Sequence, residues 1–265
     1  MSDIALGTGN SPDTASSDSA KSWTLKDFLW ACPQPILVLG FMILVANMVA
    51  SDWIYRELFG AIMIVLPVPL CIFAERIWTK RKDWLLEPKE MAEDAFWLAF
   101  AGLLWVPLYS NFYETPISAG FKSFRDLAPL HINLAPTSVP GMLGGALLAA
   151  LISSFIYYWL HRVQHESLFW WRMHATHHHI TKMGCMRGDR THPLEYASLM
   201  LGTPIALALL GASDGVMAVA GAFNIWNGVL NHSNLPLKSM PVYDWFFATA
   251  QQHHVHHAHE RRQAD

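Results

Sequence analysis

Phe28 to Ala50 is a run of 23 residues without a charge, and about 20 apolar residues are enough for a helix to cross the hydrocarbon of a bilayer. This run predicts a first membrane span. Leu58 to Ala74 is a second apolar stretch, interrupted by Pro67 and Pro69. Each proline removes a backbone donor, so a kinked span is expected there. Ala95 to Tyr113 predicts a third span, and Leu143 to Leu160 a fourth that runs straight into His161. Tyr196 to Ser213 and Gly215 to Leu230 are apolar but shorter or broken by Pro204 and by glycines, with Gly211-Ala212-Ser213-Asp214-Gly215 as the turn between them. A helical hairpin is expected, with both ends on one side. Its length does not decide between a full crossing and a partial entry.

The predicted architecture is all-α: an integral membrane bundle of four transmembrane helices plus a shorter helical hairpin, with a cytoplasmic histidine-rich cap. It divides into a disordered tail over 1–22, membrane helices and loops over 23–139, and a histidine-box region over 140–265, in one membrane domain. Orientation follows from basic residues. Arg76, Lys80, Arg81, Lys82 and Lys89 lie between spans two and three, against Lys122 and Arg125 between spans three and four. The positive-inside rule puts residues 75–94 in the cytoplasm. Four crossings then bring His161 to that side, and the hairpin returns His232 and the C-terminal histidines to it. The compartment expected is a bacterial inner membrane or the endoplasmic reticulum.

Composition agrees with a membrane protein: 52% of residues are hydrophobic and 15% charged, against about 25% charged in soluble domains. A net charge of −3 and the lack of a basic stripe exclude nucleic acid as a partner. Cys32, Cys71 and Cys185 form no C-x-x-C pair, so structural disulfides are not indicated. The first 22 residues lack the basic start and apolar core of a secretory signal.

The chemistry lies in the histidines. Thirteen of the fourteen fall between His161 and His259, most of them in three boxes: His161-x-x-x-His165, His174-x-x-His177-His178 and His253-x-x-His256-His257. Residues three and four apart share a helix face, so each box is expected to aim two or three imidazoles at one place. Eight box histidines exceed one tetrahedral site, and two metal ions held close together account for them all. Imidazole suits iron, zinc, copper and nickel alike. The bland alternatives are that His161 and His165 anchor a helix end at the lipid interface beside Trp159, Trp170 and Trp171, and that the last box is a generic metal-sequestering tract crowded by His254 and His259. Repetition of the His-x-x-His-His order argues against the second. His179 and His254 fall off the ligand face and are expected to support the centre or lie at the surface. His192 precedes Pro193, where helix capping stands slightly ahead of ligation. His131 belongs to the opposite side. Glu166, Asp189, Glu195 and Glu260 are candidates to accept from ligand N–H groups, or else solvated charges.

The boxes, with Arg190-Thr191-His192-Pro193-Leu194-Glu195 after the second and Asn231-His232-Ser233-Asn234-Leu235-Pro236 before the third, resemble the fatty acid hydroxylase and sterol desaturase superfamily over roughly residues 140 to 259. The short gap between second and third boxes is more similar to this superfamily than to acyl-CoA desaturases or alkane hydroxylases. The resemblance implies an integral membrane enzyme with two iron ions, zinc being possible as isolated, and O2 as co-substrate. It implies hydroxylation or desaturation of a C–H bond in a fatty acyl chain or sterol. The alternatives are a carotenoid or ether-lipid oxygenase of the same chemistry, or a non-catalytic membrane zinc protein. The implied metal ligands are His161, His165, His174, His177, His178, His232, His253, His256 and His257. Some relatives carry a further histidine where this chain has Gly228, a gap that His192 or water would fill. No His-Pro-Gly-Gly motif is present, so electrons are expected from a separate donor of ferredoxin or cytochrome b5 type with its reductase. Relatives continue past the last box, whereas this chain stops at Asp265, which implies a truncated member.

Overall fold

The apolar stretches are helices in a computed structural model, which describes residues 23–51, 53–54, 56–128 and 132–258. The 1–22 tail, His131, His259 and Glu260 lie outside the described residues. A capping box starts the first helix, α1 (Leu25–Ala31): Thr24 Oγ1 accepts from Asp27 N at 3.2 Å and the Asp27 carboxylate accepts from Thr24 N at 3.0 Å. Pro33 then opens α2 (Pro33–Ala50) at a first-turn position, where its missing N–H costs least. The second span is divided into α3 (Arg56–Val65) and α4 (Pro67–Ile77), and both of its prolines fall in the first turn of α4.

The third helix, α5 (Pro88–Asp126), is far longer than its apolar stretch. A Glu87–Glu90 capping box starts it on the polar side. Two π-helical turns, Ala101–Trp105 and Ser110–Glu114, flank Pro107. A widened turn is one way a helix accommodates a proline ring without ending. The fourth, α6 (Val139–Glu166), is capped by Ser138 Oγ, which accepts from Gly141 N at 3.3 Å. It continues past the hydrocarbon-length stretch far enough to carry both His161 and His165.

After α7 (Leu168–His178) come α8 (Pro193–Leu199) and α9 (Gly202–Leu210), then α10 (Asp214–His232) and, near the end, α11 (Ala250–His256). The core lies where α2, α6 and α10 meet, with Val38, Met42, Ala46, Ala146, Ala150, Val216, Val219 and Ala220 buried. Small residues let the helix backbones approach closely. At Gly202 a Cβ would stand 2.8 Å from the Ser153 carbonyl oxygen. Outward-facing Leu, Ile, Phe and Trp side chains on α2, α5 and α6 give a surface suited to lipid.

Five helices among the described residues are long and apolar enough to cross a membrane, and the fifth is Pro193–Leu210, the first arm of the hairpin. The first arm has the 18 residues that the sequence predicts, shifted three residues toward the N-terminus, and the second extends to Asp214–His232, 19 residues. The turn sits far from the histidines: Leu134 N donates to Leu210 O and Ser213 N to Leu134 O, both at 3.0 Å, in the loop that leads into α6. A Cβ at Gly215 would meet Val49 at the end of α2 and Met142 at the start of α6. The hairpin thus runs the same depth as the helices around it.

Gly211 holds the turn at φ 59, a left-handed conformation. A Cβ there would also lie 2.8 Å from the Ile132 carbonyl oxygen. Gly211→Ala is expected to cost at least about 1–2 kcal/mol, read as a lower Tm in detergent.

At the other end, the basic 75–94 segment lies against the histidine boxes. Lys80 N donates to Asn234 O at 2.9 Å, and Lys182 Nζ reaches Glu90 at 2.7 Å. Asp94, fully buried, accepts from Arg187 Nε at 3.1 Å and Arg190 Nε at 2.5 Å. Breaking a buried pair leaves an uncompensated charge, so Asp94→Ala is expected to destabilise the fold by about 3–5 kcal/mol in a denaturation series.

Candidate metal centre

Four helices deliver the histidines. Those of α6 sit one turn apart near its C-terminus, and Ser167, in extended conformation, breaks the helix so that α7 brings the second box back against the first. His232 is the last residue of α10, and the third box closes α11 and its cap.

The nine imidazoles divide into two groups. His161, His165, His174, His178 and His256 form one; His177, His232, His253 and His257 form the other, with one ring nitrogen from each member within 4.8 Å of all the rest of its group. This corrects the expectation that each box aims at one place. In the second box the i,i+4 pair His174 and His178 joins the first group while His177 crosses to the other. In the third box His253 and His257 pair in the second group while His256 crosses over. Neighbouring residues lie about 100° apart around a helix, so His177 and His178 cannot face one point. The groups adjoin, with the His178 and His257 rings stacked at 4.4 Å.

Within the first group His161 Nε2 lies 3.0 Å from His165 Nε2, 2.8 Å from His256 Nε2 and 3.1 Å from His174 Nε2. In the second, His232 Nε2 lies 3.2 Å from His177 Nε2 and 2.8 Å from His253 Nε2, and His257 Nε2 lies 3.1 Å from His253 Nε2. Nitrogens bound about 2.0–2.1 Å from one ion at right angles would stand about 3 Å apart. Two ring nitrogens can share only one proton, so these convergent sets cannot be satisfied by hydrogen bonds alone. His178 Nε2 is buried without a hydrogen-bond partner. A cation in each group would satisfy all the nitrogens together, and the donor sets fit that demand.

Protonation favours it too. Burial pushes His174 down to about 4, and burial together with neighbouring imidazoles holds His177 and His253 well below the usual histidine range. Neutral imidazoles are what a metal needs. Orientation comes from behind the rings. His174 Nδ1–H donates to Glu195 Oε1 at 2.6 Å, both side chains being fully buried, which turns the Nε2 lone pair inward. His232 Nδ1–H donates to the Gly228 carbonyl at 3.0 Å with the same result.

The other candidates lie outside the two groups. His192 caps α8, its Nδ1 accepting from Leu194 N at 3.2 Å. His179 is exposed at the end of α7. His254 meets Lys80 Nζ at 2.7 Å and donates to Ser233 O at 3.0 Å, and burial lowers it to about 3. Glu166 pairs with Arg162 on the surface. Asp189, raised to about 6 by burial, makes no hydrogen bond to a histidine among the described residues. Sequence reasoning missed Gly188, where a Cβ would stand 2.9 Å from His232 Nδ1. A glycine beside the Arg-Gly-Asp turn gives no local sign of that contact.

Comparison with known proteins agrees with the geometry. The family described as fatty acid hydroxylase matches residues 146–264. Ornithine lipid hydroxylase OlsE of Rhizobium tropici is 32% identical over 128 residues, 48% of this chain and 38% of the relative. A Dictyostelium discoideum protein named for methylsterol monooxygenase activity is 29% identical over 82% of this chain and 76% of its own length. Alkylglycerol monooxygenase of Xenopus tropicalis is 31% identical over 39% of this chain and 22% of its own. The matched part thus spans 38% and 22% of the hydroxylase and the alkylglycerol enzyme. No solved structure matches. Residues 146–264, which carry all nine clustered histidines, match the fatty acid hydroxylase family.

Proposed function

We propose that this protein is a membrane-bound, O2-dependent oxidoreductase that hydroxylates or desaturates a C–H bond of a lipid at a histidine-held di-iron centre. The carrying observation is the division of nine imidazoles into adjoining groups of five and four at one end of apolar helices. Iron bound there supplies oxygen activation and the power to break an unactivated C–H bond, which no side chain possesses. His161, His165, His174, His178 and His256 would hold one ion, and His177, His232, His253 and His257 the other. Glu195 and the Gly228 carbonyl keep His174 and His232 in the tautomer that presents Nε2. Burial of His174, His177, His232 and His257 keeps water from the reacting atoms.

Three relatives are named for ornithine lipid, methylsterol and alkylglycerol substrates, all amphiphiles with long apolar parts. They support a substrate drawn from the bilayer, a fatty acyl chain or sterol in our reading. Electrons would come from a separate donor of ferredoxin or cytochrome b5 type, docking at the polar end. The concentration of basic residues between 75 and 94 supports placing that end in the cytoplasm. The test is to purify the protein in detergent from iron-supplemented cells and measure bound metals and reductant-driven oxygen uptake with added lipid extract. About two irons per chain with lipid-dependent uptake is expected. Zinc at both groups with no uptake after iron reconstitution would instead make the cluster a non-catalytic metal site.

A further inference from the structure

Cys71 and Glu75 stand four residues apart on α4 and so share one face, and Cys185 lies in the loop between α7 and α8. One donor atom from each falls within 4.8 Å of the other two. All three residues are buried, at 4%, 7% and 2% exposure. None belongs to either histidine group. Glu75 Oε1 accepts from Cys185 N at 2.9 Å and from Asn234 N at 2.7 Å, which fixes the carboxylate in place beside the two thiols. No described lysine or arginine forms an ion pair with Glu75. A buried carboxylate beside two thiols, without a paired cation, is costly unless something positive joins it.

Two sulfurs and a carboxylate oxygen form a donor set quite different from the all-imidazole groups. Thiolate draws zinc-class ions, and a protein carboxylate completes such sets. We propose that Cys71, Glu75 and Cys185 form a third, separate metal site for one zinc-class divalent cation. Binding expels the two thiol protons to water and places one doubly charged ion among three anionic donors. The site ties α4 to the loop that follows the second histidine box. Through the Glu75 bond to Asn234 N it also ties α4 to the loop directly after His232. It is therefore a structural clamp behind the histidine groups, and it stands whether or not those groups hold iron.

The test is cobalt loading of the metal-free full chain in detergent with Co2+ alone. Thiolate bound to Co2+ gives an intense near-ultraviolet charge-transfer band, which imidazole-bound cobalt lacks. The wild-type chain and Cys32→Ser should both show the band. Cys71→Ser and Cys185→Ser should lose it while keeping the weaker visible bands of histidine-bound cobalt, and bound cobalt should fall by one equivalent. Absence of the band in the wild-type chain at full cobalt loading overturns the proposal. So does an intact mass that shows Cys71 and Cys185 joined as a disulfide after anaerobic purification. Both overturning results are read on the wild-type chain, so a variant that fails to fold leaves neither in doubt.

Discussion

Replacing His177 with alanine is expected to lower bound iron from about two per chain to about one and to cut lipid-dependent oxygen uptake by more than about 100-fold, with the protein still inserted in the membrane. His177 is the second box's only contribution to the four-histidine group. Without it only His232, His253 and His257 remain, all from α10 and α11 with its cap, and the ion loses one of its four ligands and its tie to the second box. Insertion should survive because His177 follows the fourth span and lies outside the core of α2, α6 and α10. Iron and zinc per chain, measured beside the elution profile of the detergent-solubilised variant, separate loss of metal from loss of fold. Full metal content in a well-folded variant would sink the assignment. His192→Ala is the control: it removes a helix cap, worth about 0.5–2 kcal/mol, and should leave the metal in place.

The second large effect is expected at Glu195. Its carboxylate is the sole partner of the His174 Nδ1–H, with both side chains fully buried. Glu195→Ala removes the acceptor, leaves a buried donor unsatisfied at about 1–3 kcal/mol, and frees the ring to turn its Nε2 from the first group. Metal affinity or activity should fall about 10–100-fold. Glu195→Gln should do less harm, because its amide oxygen still accepts from His174, although its NH2 would face the His192 N–H that Oε2 now serves at 3.3 Å. The same change at Glu166, whose exposed pair with Arg162 is solvated, should shift neither metal content nor stability beyond about 1 kcal/mol. Metal titrations of the three variants give the ranking. Equal losses at Glu195→Ala and Glu166→Ala would show that the hydrogen bond to His174 does not matter.

These two residues mark how far local pattern reaches. His177 stood out beforehand because His-x-x-His-His spacing belongs to one helix. Glu195 did not stand apart from Glu166 or Asp189, because which carboxylate meets an imidazole depends on how α8 packs against α7. His232, a lone histidine outside the boxes, is implied as a ligand only by the resemblance of Asn231-His232-Ser233-Asn234-Leu235-Pro236, and it reaches the box histidines because α10 ends where α7 and α11 meet.

What the sequence determined alone were properties set within a single segment. Apolar length against bilayer thickness marked the spans, box spacing marked the imidazole clusters, and the distribution of lysine and arginine placed residues 75–94 at the same end as the boxes. Tertiary structure alone decided the five-and-four division of the histidines, the full depth of the hairpin, the pairing of Glu195 with His174, and the meeting of Cys71, Glu75 and Cys185. Each of these joins residues remote in the chain, and such contacts follow from the angle and depth at which whole helices pack, which no single segment encodes.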